Sequence, residues 1–157
     1  MGTPRNWGTA TPIVLSAEPR FRAAFRGTNT TMSHTETNLR KVENSAPKFD
    51  MPDEMEARFA RSDLEGETLG VTLFTLAPNF RIPFGHKHDK QEEVYVIVHG
   101  SARIKVDDEI VELGPLDAIR FDKDTMRNVE AGPDGVEYLA FSAGDPGRGY
   151  GARLVDE

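Results

Sequence analysis

Short apolar runs separated by turn residues dominate the chain from about residue 50 onward. Most of them end at glycine, proline or aspartate, and no long stretch between them has apolar residues at helical spacing. The runs cover residues 57–61, 68–78, 81–88, 92–100, 101–106, 109–114, 117–121, 126–131 and 136–144. Strands at this spacing predict an all-β protein, built as an antiparallel sandwich or barrel.

Two turns are predicted between these strands. The acidic triplet at residues 107–109 lies between two alternating runs and predicts a tight hairpin. The sequence AGPDG at residues 131–135 predicts a second hairpin, because glycine and aspartate there supply unusual φ angles or local side-chain hydrogen bonds.

Strict alternation from residue 92 to residue 98 predicts which side chains face the interior. Glu93, Tyr95 and Ile97 share one face, which we expect to line the barrel. The three valines between and after them share the other face. An apolar outer face predicts cover by the N-terminal segment, by a second sheet or by another subunit.

The N-terminal part of the chain lacks such periodicity. Residues 1–48 are rich in Thr, Asn, Arg and Pro, which predicts a flexible N-terminal extension. The barrel is predicted over residues 49–145, and residues 146–157 are predicted to form a C-terminal tail.

Composition and charge narrow the classes of function. The net charge is −7 and the pI about 5.1, so no general attraction to nucleic acid or anionic membranes is expected. The chain contains no cysteine, which removes disulfides and thiolate metal ligands. It has no apolar run of membrane-spanning length, and we expect a cytoplasmic protein.

Three of the four histidines lie within residues 85–100, and two of them form a candidate metal site. His86 and His88 are two residues apart, so in a strand they project from the same face. With Glu93 they complete a set of two imidazoles and one carboxylate, which suits one divalent transition metal such as Fe, Mn, Ni or Zn. A one-residue slip would instead make Glu92 the third donor. Alternatively, the two histidines lie on a solvent-exposed strand face and the polar residues after them form a charged turn, and no metal is bound.

The spacing His86-x-His88-x4-Glu93-x6-Gly100 resembles the first signature of the cupin superfamily. The resemblance covers about residues 50–145 and is strongest to small, mostly bacterial single-domain cupins with no assigned reaction. It implies a double-stranded β-helix, or jelly-roll, barrel that pairs as a homodimer. One departure is Phe80, which stands where the signature has a glycine.

The second cupin signature is rewritten in this chain. Its Gly, Pro, Gly, His and Asn fall on Leu116, Asp122, Asp124, Arg127 and Ala131. The substitution at Arg127 matters most, because the resemblance implies a metal-binding histidine there and a guanidinium has no lone pair to donate. At about 4 Å and an effective dielectric constant of about 20, its repulsion of a divalent ion would be roughly 8 kcal/mol.

Three hypotheses about function follow, and whether the protein is an enzyme stays open. In the first, His86, His88 and Glu93 hold a metal, and the protein is an oxygenase or isomerase that acts on a small anionic molecule, which Arg127 orients. In the second, no metal is bound, and Arg127, Tyr95, His86 and His88 recognise a small anionic ligand for binding or sensing. The third is a structural dimer module with a vestigial pocket.

Overall fold

Eight strands and two short 3₁₀ helices form the described part of the computed structural model, which comprises residues 34–144 and the backbone of residues 152–155. The chain divides into two units, Met1–Thr31 and Met32–Glu157, and all described residues belong to the second unit. The strands are β1 (Met55–Phe59), β2 (Leu69–Leu76), β3 (Gly85–His88), β4 (Glu92–Val106), β5 (Glu109–Leu113), β6 (Ala118–Phe121), β7 (Arg127–Ala143) and β8 (Ala152–Val155). The predicted all-β class is confirmed.

The two longest strands, β4 and β7, form the centre of the sheet and pair with each other along their whole length. The first half of β4 also pairs with β6, and its second half pairs with β5. On its other side, β7 pairs with β2 and then with β3. Strands β1 and β8 pair with β2 and β3 respectively, and all of these pairs are antiparallel.

One of the two predicted hairpins exists. Residues Asp107 and Asp108 turn the chain between β4 and β5, and Asp107 has the positive φ of 48° that such a turn requires. The hairpin predicted at residues 131–135 is wrong, since β7 runs through this sequence without a turn.

The predicted strand break at Gly100 is also wrong. Strand β4 continues through Gly100, as β7 does through Gly135, and the two strands bend together where their register shifts. A Cβ atom on Gly100 would lie 2.0 Å from the carbonyl oxygen of Gly135, so glycine at this position permits the close approach of the two backbones.

The interior is filled by alternate residues of β4 and β7. Tyr95, Ile97 and Ile104 on β4 are at most 1% exposed, as is Tyr138 on β7. The rings of Tyr95 and Tyr138 lie 5.0 Å apart, and Tyr138 stacks on Phe74 of β2. Burial of each such side chain contributes about 1.5 to 3 kcal/mol, which fixes the face of β4 that turns inward.

The segment just before β1 packs against the sheet. Its 3₁₀ helices span Leu39–Lys41 and Ala46–Phe49. Val42 and Ala46 are buried, and the backbone N–H of Ser45 donates to the carbonyl of Ala57 on β1 at 2.8 Å. The packed part of the chain therefore begins before residue 49, where the sequence predicted the barrel to begin. Residues 1–33 of the predicted extension lie outside the described residues.

The predicted C-terminal tail contains strand β8, whose backbone pairs with β3 in the register Gly85↔Val155 to His88↔Ala152. Residues 145–151 lie outside the described part of the chain. None of the helices among the described residues has the length and apolar character needed to cross a membrane.

Candidate metal centre

Strand β3 places His86 and His88 on one face, as their spacing predicts. Their rings lie 5.5 Å apart in an edge-to-face arrangement. His88 is buried, whereas His86 keeps a partly exposed surface. The strand thus presents one buried imidazole and one that is partly exposed.

Strand β4 supplies Glu93 to the same interior. Glu93, Tyr95 and Ile97 are all buried, in agreement with the predicted alternation. Glu92 points to the opposite side, where it is exposed and accepts a hydrogen bond from Arg120 at 2.9 Å. The alternative register, with Glu92 as the third donor, is therefore excluded.

The three donors predicted from the sequence come together. Ligand atoms of His86, His88 and Glu93 all lie within 4.8 Å of one another. His88 Nε2 lies 3.3 Å from Glu93 Oε1, which is a close approach of a deeply buried ring to a buried carboxylate. Among the described residues, this is the only group of three or more metal-ligating side chains that converges in this way.

Arg127 faces the same cluster, because β7 pairs with β3 in the register His86↔Arg127. The residue is 1% exposed, and its Nη2 donates to Glu93 Oε2. Its Nη1 donates to the carbonyl of Thr125 at 3.0 Å, and its guanidinium lies 5.2 Å from the centre of the Phe121 ring. The cation is thus held by an ion pair, a carbonyl and an aromatic face.

Tyr95 links the carboxylate to the outer histidine. Its hydroxyl donates to Glu93 Oε2 at 3.1 Å and lies 3.3 Å from His86 Nε2. The ring is fixed by edge-to-face packing against Phe121 at 4.8 Å. Glu93 Oε2 therefore accepts two hydrogen bonds, while Oε1 faces His88.

The charges in the cluster fix its protonation states near neutral pH. Burial works to raise the pKa of Glu93, but the hydrogen bond with His88 and the charge of Arg127 outweigh it and lower that pKa to about 2. Burial and then the charge of Arg127 lower the pKa of His86 to about 3, against the weaker opposite effect of Glu93. Burial, followed by the Glu93 charge, raises the pKa of Tyr95. The outer imidazole is therefore neutral, the carboxylate charged and the phenol protonated.

These residues fit a divalent transition metal held by three protein donors. Neutral imidazole and ionised carboxylate are the forms that bind such ions. His88 Nδ1 and Arg127 Nε are buried and have no hydrogen-bond partner among the described residues, which is uncommon for buried polar atoms. Arg127 stands at the fourth position and has no lone pair with which to bind a metal. The set of possible ligands therefore differs from the four-ligand site that the resemblance implied.

Two residues at the rewritten positions of the second signature have backbone conformations that glycine adopts most readily. Leu116 and Asp124 stand at the signature's glycine positions, and both have positive φ angles, of 69° and 65°. The backbone N–H of Asp124 donates to the carbonyl of His88 at 2.7 Å, which ties this turn to β3. Leucine and aspartate adopt such φ angles less readily than glycine does, so these two turns depend on the surrounding structure.

Sequence patterns gave no indication of Asn128, the residue after Arg127. It is 4% exposed, and its side chain contacts the segment that leads into β3. An asparagine within a strand pattern carries no signal for such a role, since the partner carbonyls lie more than 40 residues away in the sequence.

Comparison with known proteins supports the fold alone. No protein-family model matches the sequence, and no curated protein matches it. A cupin protein from Bacteroides fragilis is similar in structure, with a TM-score of 0.60 and 21% identity over 73% of this chain and 86% of that one.

Oxalate decarboxylase from Bacillus subtilis is also similar, with a TM-score of 0.66 and 21% identity over 81% of this chain. The match spans 33% of the decarboxylase chain, so this chain corresponds to about a third of that enzyme. Another structure of the same enzyme, for which Mn(II) centres are described, matches with a TM-score of 0.61 and 23% identity over 74% of this chain and 31% of that one. Together with the strand topology, these matches show that the chain has the cupin fold.

Proposed function

We propose that this protein binds one divalent transition metal through His86, His88 and Glu93 and acts on a small anionic molecule. The observation that carries the proposal is the convergence of the three donors within 4.8 Å of one another. Two imidazoles and a carboxylate on one side of an ion leave its other positions to exogenous ligands. The Mn(II) centres of Bacillus subtilis oxalate decarboxylase, which shares the fold, are consistent with this proposal.

The charge balance of the cluster favours an anion as the exogenous ligand. Arg127 and Glu93 neutralise each other, and the imidazole of His86 is uncharged. A divalent ion therefore adds two uncompensated positive charges to a largely buried site, and an anionic ligand would offset them. When bound, the metal would supply Lewis-acid chemistry or activation of dioxygen, which suits an isomerase or an oxygenase.

The residues around the donors have distinct roles in this proposal. Glu93 keeps Oε1 toward His88, while Arg127 and Tyr95 hold Oε2. Phe121 packs against the guanidinium, and both residues are almost completely buried. His86, the partly exposed member of the set, lies where a small molecule could approach.

One observation favours a metal-free alternative. Arg127 already provides a positive charge to Glu93, so the carboxylate is stabilised without any ion. In this alternative the protein binds or senses a small anion through the histidines, Tyr95 and Arg127. The two candidates differ in whether the cluster takes up metal.

Metal uptake by matched variants tests the proposal. Protein purified without a chelator or a histidine tag is supplied in turn with Fe, Mn, Ni and Zn, and bound metal is measured by mass spectrometry after gel filtration. We expect about one ion per chain for the wild type. Glu93→Gln should lower the affinity by at least about tenfold, because a neutral amide replaces a charged donor.

Glu92→Gln is the matched control. It changes the adjacent carboxylate, which is exposed and pairs with Arg120, and should leave metal uptake at the wild-type level. Substoichiometric metal in the wild type with all four ions would refute the proposal and favour the metal-free alternative. Uptake at the wild-type level in both variants would mean that Glu93 does not bind the metal, and would also refute the proposal.

A further inference from the structure

The strand that carries both histidines is weakly attached to its neighbour β7. Strand β3 has four residues, and within the named strands its only register pair with β7 is His86↔Arg127. The preceding segment is better attached: the backbone N–H of Ile82 donates to Val129 at 3.0 Å, and Ala131 donates to Phe80 at 2.8 Å. Between these two zones the backbone ladder is interrupted at Pro83, which has no N–H to donate.

The side chain of Asn128 spans the interruption. Its Nδ2 donates to the carbonyl of Ile82 at 2.7 Å and to the carbonyl of Phe84 at 2.8 Å, one on each side of Pro83. Both bonds are short, and the residue is 4% exposed. An amide nitrogen has two N–H groups, so this one side chain satisfies both carbonyls.

We propose that Asn128 is a positioning residue that sets where β3 places His86 and His88 relative to Glu93. The inference rests on the proposed function, since it concerns the geometry of the same metal site. Phe84 is two residues before His86, so a shift of its carbonyl is transmitted along a short strand. Residues that orient ligands without touching the metal typically change metal affinity by about ten- to a hundredfold when they are replaced.

Asn128→Ala and Asn128→Asp test the inference. Alanine removes both bonds, and aspartate sets a carboxylate oxygen against a carbonyl that needs a donor. Asn44→Ala is the matched control, because Asn44 Oδ1 also makes two bonds to backbone, accepting from Ala46 at 3.1 Å and Ala57 at 3.0 Å, but lies outside the metal cluster. Asn128→Ser, which keeps one donor, is the second variant if the others do not fold.

Binding of Co²⁺ is followed by its visible absorption spectrum, together with thermal unfolding. We expect Asn44→Ala and Asn128→Ala both to lower the melting temperature. Only the Asn128 variants should weaken Co²⁺ binding by about tenfold and alter the spectrum, with serine intermediate. Wild-type affinity and spectrum in Asn128→Ala or Asn128→Ser would overturn the inference.

A measurement without metal separates this inference from the proposed function. The ring nitrogens of His86 and His88 are observed by ¹H–¹⁵N correlation spectra of chelator-treated protein. We expect their signals to move in Asn128→Ala or Asn128→Ser and to stay in place in Asn44→Ala. If the wild type bound no Co²⁺, the proposed function would fall, and unchanged ring signals would overturn the positioning role independently.

Discussion

Arg127 decides how the cluster behaves, because its guanidinium and a bound metal ion would share one carboxylate. The guanidinium holds Glu93 Oε2 and is almost completely buried. At about 4 Å and an effective dielectric constant of about 20, the guanidinium would repel a divalent ion by roughly 8 kcal/mol, which offsets only part of the attraction that a directly bound carboxylate provides from a shorter distance. The affinity of the site then depends on the two imidazoles, on the part of the Glu93 charge that Arg127 does not offset, and on any anion that binds with the metal.

Replacing this residue by histidine should strengthen metal binding. Arg127→His removes a buried positive charge and adds a neutral nitrogen donor at the position paired with His86. We expect metal affinity at neutral pH to rise by at least about tenfold, measured by calorimetric titration with Mn²⁺ and Zn²⁺. Arg120→His is the control, since Arg120 is exposed and pairs with Glu92. Unchanged affinity in Arg127→His would mean that the guanidinium does not act on the metal.

The pKa of His86 predicts a loss of stability in mild acid. Its folded-state pKa of about 3 is below the ordinary value of 6.5, so between these pH values the unfolded chain binds a proton that the folded chain does not. The contribution of the neutral His86 ring to the free energy of unfolding is fully present above about pH 6.5 and falls as the pH decreases toward 3. Between about pH 7 and about pH 5, this one group accounts for about 2 kcal/mol.

His86→Asn, which removes the titrating ring, checks this effect. Urea unfolding of metal-free protein measures the free energy of unfolding at each pH. The variant should lose about 2 kcal/mol less than the wild type over that interval. An equally steep fall in both proteins would contradict the pKa assigned to His86.

At the scale of single elements, local alternation predicted faces well and strand ends poorly. The inward face of β4 could be predicted, because burial of Tyr95 and Ile97 is decided by period-two spacing. The continuation of β4 past Gly100 could not be predicted, because a glycine is equally compatible with a turn that ends a strand and with a bend inside one. Whether the strand ends or bends at Gly100 depends on Gly135, which is distant in the sequence but close to Gly100 in the structure.

Some residues of the candidate site could be predicted from local sequence spacing, whereas the positions of others depend on how distant strands pair. His86, His88 and Glu93 could be identified because they lie on consecutive strands with a recognisable spacing. Whether Arg127 faces them depends on the register of β7 against β3, which no local pattern contains. Asn128 could not be predicted for the same reason, because the carbonyls that its side chain binds lie in the segment before β3.

At the scale of the whole molecule, the outer face of the central strands supports the expected homodimer as a proposal. Val94 pairs with Phe141 and Val96 with Leu139 across β4 and β7, and all four side chains remain partly exposed. Val98 in the same row is 46% exposed. A contiguous apolar surface of this kind favours association with a second copy.

Sedimentation velocity over a range of concentrations tests that proposal. We expect a dimer for the wild type, and Val96→Lys should shift it toward monomer because a charge would have to be buried in the contact. Ile110→Lys is the control, since Ile110 is exposed on β5, away from this row. A wild type that is monomeric at every concentration would rule out the dimer.

Strand β8 has a practical consequence for how the protein is prepared. The backbone of Ala152–Val155 completes the hydrogen bonding of β3 on the side opposite β7, directly beside both histidines. A fusion partner or cleavage scar close to β8 would act on the outer edge of the strand that carries the two histidines. A polyhistidine tag placed directly after β8 would bring competing imidazoles close to that strand. Purification handles are therefore best kept away from β8.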